Sequence, residues 1–166
     1  TGTELLFQDN DFERNVVIWG RVHNYKFTGN RISGGNVSYR TRTGVAEISG
    51  NDYKNCNISI FFDTKGVADG IVRKAGQQVS TPPLLFKNET LFNIGKLEGT
   101  YFNFLDSKMN KVSFIAGKET RMVDLRNCEL NDCSMLFEEK GPAVKFAVEN
   151  CKGALKESGP GLGRKK

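Results

Sequence analysis

The sequence predicts an all-β chain wound into a parallel β-solenoid, and three observations carry that prediction. Large apolar residues recur every five positions at Phe7, Phe12, Val17, Val22, Phe27, Ile32 and Val37. A helix advances 3.6 residues per turn and a strand alternates faces, so neither buries such a series on one side. Only a chain that turns a corner once per unit aims them all inward. Second, the spacing returns after each interruption: at Ile48, Tyr53 and Ile58, at Phe92, Leu97 and Phe102, at Met109 and Phe114, and at Leu125, Leu130 and Met135. Third, the register moves where it must. Unbroken continuation would place Arg42 and Ser107 in the wall of a dry core, where an unpaired charge costs several kcal/mol. The competing architecture is an antiparallel β-sandwich, which frequent glycine, scarce proline and common aromatics also suit.

The first solenoid stretch covers residues 5–61. Its blocks Ala46-Glu-Ile-Ser-Gly50 and Asn51-Asp-Tyr-Lys-Asn55, with Gly95-Lys-Leu-Glu-Gly99, Val123-Asp-Leu-Arg-Asn127 and Cys128-Glu-Leu-Asn-Asp132 further on, resemble pentapeptide-repeat proteins. The resemblance implies a right-handed β-helix whose square coils comprise four five-residue units. In each unit a central Leu or Phe points inward, and a small residue two positions earlier also faces the core. Ala46, Cys56, Gly95, Thr100, Val123, Cys128 and Cys133 fill that small position here. Asn10, Asn15, Asn30 and Tyr25 occupy it near the N-terminus, a departure from the pattern that allows an irregular β-helix there.

Residues 63–89 lack the spacing and read as an insertion, with a short helix around Val67–Lys74 and a Pro82-Pro83 loop. Long insertions in compact domains are usually functional, so this one is a candidate contact surface. Gly117–Arg121 reads as a smaller excursion. At residues 142–155 the period changes: Val144, Val148, Cys151 and Leu155 fall at helical spacing, and Pro142 suits a first helical turn. A solenoid end exposes unpaired backbone and invites stacking, so this helix is expected as its cap, closing a domain that spans 1–155. Residues 156–166 are then a flexible basic tail.

The chain has 166 residues, 38% of them hydrophobic, enough for one domain with its own core. The net charge of +5 is unevenly placed: the last fifteen residues carry +4, leaving the body at +1. No apolar run is long enough to span a membrane. Cys56, Cys128 and Cys133 fall on inward positions and read as buried reduced thiols, with Cys151 the fourth, which points to an intracellular, cytoplasmic setting. A leader removed before Thr1 is compatible with this start.

A search for catalytic chemistry finds no constellation. His23 is the single histidine, and it sits at a corner-type position. Asp9, Asp11 and Glu13 mimic the start of a calcium loop, but Arg14 and Gly20 stand where such a loop needs Gly and Glu. No catalytic residue, cofactor or metal is therefore expected. The expected function is a non-catalytic protein-interaction scaffold. Its candidate contacts are the aromatics outside the spacing, Trp19, Tyr39 and Phe62, with Arg73 and Lys74 in the insertion. The partner protein is unknown, and end-to-end contact between solenoids offers a route to a homodimer. The alternative is nucleic-acid or anionic-surface binding through Arg164, Lys165 and Lys166, since clustered cations release counterions. A third reading comes from the resemblance alone: some pentapeptide-repeat proteins mimic duplex DNA and occupy type II topoisomerases. That role needs a strongly acidic face, and this body is nearly neutral.

Overall fold

A computed structural model describes residues 4–20, 24–41, 45–61 and 84–166. They form a stacked-coil β-solenoid of about six turns, all-β and almost without helix. Three sets of strands build it. The first set is β1 (Glu4–Gln8), β4 (Asn24–Thr28), β7 (Val45–Ser49), β10 (Phe86–Lys87), β12 (Tyr101–Leu105), β14 (Met122–Arg126) and β16 (Lys145–Glu149). These pair in parallel as one seven-stranded sheet in that order. In the early turns a three-residue strand follows, β2 (Asp11–Glu13), β5 (Arg31–Ser33) or β8 (Asp52–Lys54). A third strand completes each of these turns: β3 (Val16–Gly20), β6 (Asn36–Thr41) and β9 (Asn57–Ile60). In later turns the second and third strands merge into β11 (Thr90–Gly99), β13 (Lys108–Ala116), β15 (Glu129–Phe137) and β17 (Lys152–Ser158).

The early turns thus carry three strands and the later ones two, not the four equal sides of a square coil. The repeat is 20 residues from Asn10 to Asn30 and 21 from Asn30 to Asn51. Parallel register puts like positions on top of one another, so the core is a set of columns. One column runs Phe7, Phe27, Ile48, Phe86, Phe104, Leu125, Val148. A second runs Phe12, Ile32, Tyr53, Leu91, Met109, Leu130. A third runs Val16, Val37, Ile58, Leu97, Phe114, Met135. Inner members are essentially inaccessible, each burial contributing about 1.5–3 kcal/mol. Aromatic neighbours stack within the columns, as Phe86 does on Phe104 with centroids 4.9 Å apart.

The five-residue spacing is borne out at most positions, with two corrections. Val17 is 66% exposed and Phe92 is 40% exposed. The corner before β3 is one residue shorter than that before β6, so Val16 and Ile18 turn inward and Val17 outward. In β11 the inward residues are Leu91, Ile94 and Leu97, with a register shift between the last two.

The expected capping helix over 142–155 is not there; these residues hold β16 and the start of β17. The tail is not free either. Residues 156–158 complete β17, a 3₁₀ turn covers Leu162–Arg164, and Lys165 bridges in parallel to Val144. The insertion expected over 63–89 ends earlier than its spacing suggests, since Phe86 and Glu89 already belong to the wall and core. The expected helix at Val67–Lys74 lies outside the described residues.

Candidate interaction surface

Two corners of every turn are set by single residues in the left-handed region. The first corner uses Asp9, Gly29, Gly50, Asn88, Asp106, Asn127 and Asn150, and the second uses Arg14, Gly34, Gly35, Asn55, Asn93, Lys111 and Asp132. Gly, Asn and Asp dominate because they adopt positive φ with least penalty. In turns one to six the two corners lie five residues apart (9 and 14, 29 and 34, 50 and 55, 88 and 93, 106 and 111, 127 and 132), which is the structural origin of the five-residue unit; Gly35 is a further left-handed residue in turn two.

The residue after the first corner points inward and forms a polar column. Asn30 Oδ1 accepts from the backbone N–H and side chain of Asn10, at 3.0 and 3.1 Å. Asn51 Oδ1 accepts from Asn30 in the same way, at 2.9 and 3.1 Å. Glu89 takes the next rung. Its carboxylate receives Asn51 Nδ2 at 3.1 and 3.2 Å, and the Asn51 backbone and the Tyr53 hydroxyl also reach it. Ser107, Cys128 and Cys151 continue the column, with the Ser107 hydroxyl donating to Leu105 O at 2.9 Å. Burial pushes Glu89 up to about 8, against the opposing pull of its Asn51 and Tyr53 hydrogen bonds. Cys56 and Cys128 are raised to about 11 by burial, so these thiols are packing groups rather than nucleophiles.

The outer side of the second corner differs. Asn15, Asn36 and Asn57 stack on successive rungs, Asn36 Nδ2 donating to Asn15 Oδ1 at 3.3 Å and Asn57 Nδ2 to Asn36 Oδ1 at 3.2 Å. Beside them Asn93 Nδ2 donates to Asn55 Oδ1 at 2.8 Å. Asn36, Asn55, Asn57 and Asn93, with Gly35, Cys56 and Gly95, line an open cleft of about 410 Å³. Among the described residues no charged side chain lines it. Sequence reading placed Asn15, Cys56 and Gly95 at the inward small position, but Asn15 and Gly95 are exposed. It passed over Asn36, Asn55, Asn57 and Asn93, although Asn15, Asn36 and Asn57 recur at the 21-residue turn repeat, which is the signal that would have found them.

On the adjoining face the second strands place Asp11, Arg31, Asp52, Thr90, Lys108, Glu129 and Lys152 in one column. Charge alternates along most of it, and Arg31 Nη2 meets Asp11 Oδ2 at 2.8 Å. The Arg31 guanidinium hydrogen bond holds the Asp11 carboxyl below its usual value.

The residues singled out from sequence are scattered. Tyr39 is fully buried, its hydroxyl 2.6 Å from that of Tyr53, because it lies two residues after inward Val37 on the same strand. It is therefore a core residue, not a contact. Trp19 lies in β3, paired through its backbone with Arg40, and its side chain is outside what is described. Phe62, Arg73 and Lys74 fall outside the described residues. Arg164 spends its guanidinium on the carbonyls of Pro142, Ala116, Glu138 and Gly117 at 2.8–3.2 Å. Lys165 pairs with Glu157 at 2.7 Å and lies 4.4 Å over the Phe146 ring. The Lys166 backbone N–H donates to Val144 O at 2.9 Å.

Among the described residues no group of three His, Cys, Asp or Glu side chains could hold a metal ion. No described helix is long and apolar enough to cross a membrane. Comparison with protein-family models, curated proteins and solved structures finds no match for this chain.

Proposed function

We propose that this chain is a non-catalytic binding module, a degenerate pentapeptide-type solenoid that presents a lateral surface to a partner. The observation that carries this reading is the asparagine-lined cleft, a concave polar surface held on stacked, mutually bonded rungs. Preorganised side chains lose little entropy on binding, which is what a recognition surface requires. The buried ionisable groups, by contrast, are absorbed in the polar column and the core. Polyanion binding through the C-terminus gains no support, because Arg164 and Lys165 are engaged within the fold. Topoisomerase modulation by DNA mimicry gains none either, since a column of alternating charge is not an acidic stripe.

The test uses the whole chain on arrays of immobilised proteins and glycans, beside variants Asn55→Arg and Asn93→Arg. Each variant fills the cleft from a solvent-exposed corner. Retention of a discrete ligand, unmodified after binding and lost in both variants, is expected. Retention that ignores both substitutions, or chemical turnover of the retained ligand, overturns the reading.

A further inference from the structure

Resting on that reading, we propose that the second-corner cleft takes a neutral polyhydroxyl ligand, a segment of extended polysaccharide. The lining is the first reason. A chain in which 26% of residues are charged places only amides, glycines and one buried thiol around this cleft. Neutral amides favour a neutral ligand, since an anion or cation would be drawn to the ion-paired face instead. An amide offers both donor and acceptor in one plane, and adjacent sugar hydroxyls offer the same pair in return.

The hydrogen-bond inventory is the second reason. Among the described residues, the Asn57 and Asn93 side chains each donate once and Asn55 Oδ1 accepts once. That leaves both Asn55 amide N–H groups, one N–H each on Asn57 and Asn93, and the Asn57 and Asn93 amide oxygens for a ligand. Asn36 and Asn57, the two ladder amides that line the cleft, repeat at the rung spacing, about 4.8 Å, close to the advance of one sugar ring along an extended glycan. Successive rungs can therefore meet successive rings.

Space and an apolar edge complete the case. At Gly35, with φ +69°, an added Cβ would lie 2.6 Å from the Arg14 carbonyl carbon, and at Gly95 it would lie 3.2 Å from Asn57 Oδ1. Glycine at Gly35 lets the chain pass close to the Arg14 backbone on the preceding rung, and glycine at Gly95 leaves room for the Asn57 amide. Phe92, 40% exposed, adjoins Asn93, and its carbonyl accepts the Asn55 N–H at 3.1 Å. Its ring belongs to the adjoining strand face, between Lys54 and Asn110 in the register. An exposed ring there suits the C–H face of a sugar that extends past the cleft. A peptide would satisfy the amides too, but the cleft has no apolar recess for its side chains.

The experiment is affinity electrophoresis of the whole chain through gels containing neutral α-glucans, β-glucans, mannans or galactans, at low salt and at 1 M NaCl (about a 3 Å screening length). At least one neutral polymer should retard the protein, and salt should leave the retardation unchanged. Asn55→Ala with Asn93→Ala should weaken it about tenfold or more, the loss of one to two net hydrogen bonds. Phe92→Ala should weaken it as well, and circular dichroism should report an intact fold in each variant. No retardation by any neutral polymer, retardation indifferent to these substitutions, or binding only to acidic polymers that salt abolishes would overturn the proposal. Capture of a peptide or protein at the cleft would also overturn it, while leaving the binding-module reading in place.

Discussion

Glu89 is the residue whose environment is most at odds with its chemistry. It stands where earlier turns place Asn, and its carboxylate accepts the bonds that an Asn amide oxygen accepts below it. Folding raises its pKa from 4.5 to about 8, so between those values the folded state holds a proton that the unfolded chain does not. This contribution is complete below about pH 4.5 and is lost as pH rises through about 8, at no more than ~1.4 kcal/mol per pH unit. Glu89→Gln restores a neutral amide to the column. Urea unfolding at pH 5, 6.5 and 8 should show wild-type stability falling with pH and a flatter profile in the variant, with the largest gain at pH 8. Equal slopes in the two proteins would mean that the carboxylate is solvated rather than buried. At this scale the sequence was legible for the thiols, since Cys56, Cys128 and Cys133 are buried as their spacing predicts. The column itself was not legible. Asn10 and Asn30 look like departures from a small-residue rule until stacking shows that each bonds to the next.

The same stacking explains the misread elements. Val144, Val148, Cys151 and Leu155 fall at helical intervals, yet Val144 leads into β16, Val148 lies on it, Cys151 follows the left-handed corner at Asn150 and Leu155 lies on β17. A corner shifts the phase of strand alternation, and the combined pattern imitates a period near 3.6. Period alone cannot separate the two in so short a window. Left-handed glycines also differ in how tightly they are packed, at the second corner (Gly34) and within β17 (Gly153), which gives a matched pair of substitutions. Gly153 has φ +86°, and a Cβ there would lie 1.9 Å from Leu130 O on the preceding rung. Gly34 has φ +77° with nothing within 4 Å of that position. Gly34→Ala should therefore cost only the conformational penalty, about 1–2 kcal/mol. Gly153→Ala should cost that and more, because backbone must separate between β15 and β17. Denaturant midpoints for the pair check this. Equal costs would show that β17 yields freely at Gly153.

Across the whole molecule each turn contacts chiefly the turns before and after it, so stability should be graded along the axis rather than uniform. The ends differ in construction. At the start, Phe7 and Phe12 remain half-buried and rest on Phe27. At the other end, Arg164 ties the final loop to four carbonyls from three segments, while Lys165 covers Glu157 and Phe146. The sequence announced the solenoid through its apolar spacing. It hid this closure, because a run of glycines and cations reads as a solvated tail until its carbonyl partners are in view. Arg164→Ala removes the tie and its charge-assisted hydrogen bonds, a loss on the order of 1–3 kcal/mol. Amide hydrogen exchange should then locate the damage. In the wild type, protection should be greatest in β11, β13 and the paired stretches of β15, and lowest in β1, β2 and β3. In Arg164→Ala, protection should fall in β16 and β17 and hold in β4 to β9, since no rung contact links those strands to the loop. A uniform fall from β4 to β17 would instead mean that the turns open together, and nearest-neighbour stacking would no longer account for how this chain holds its shape.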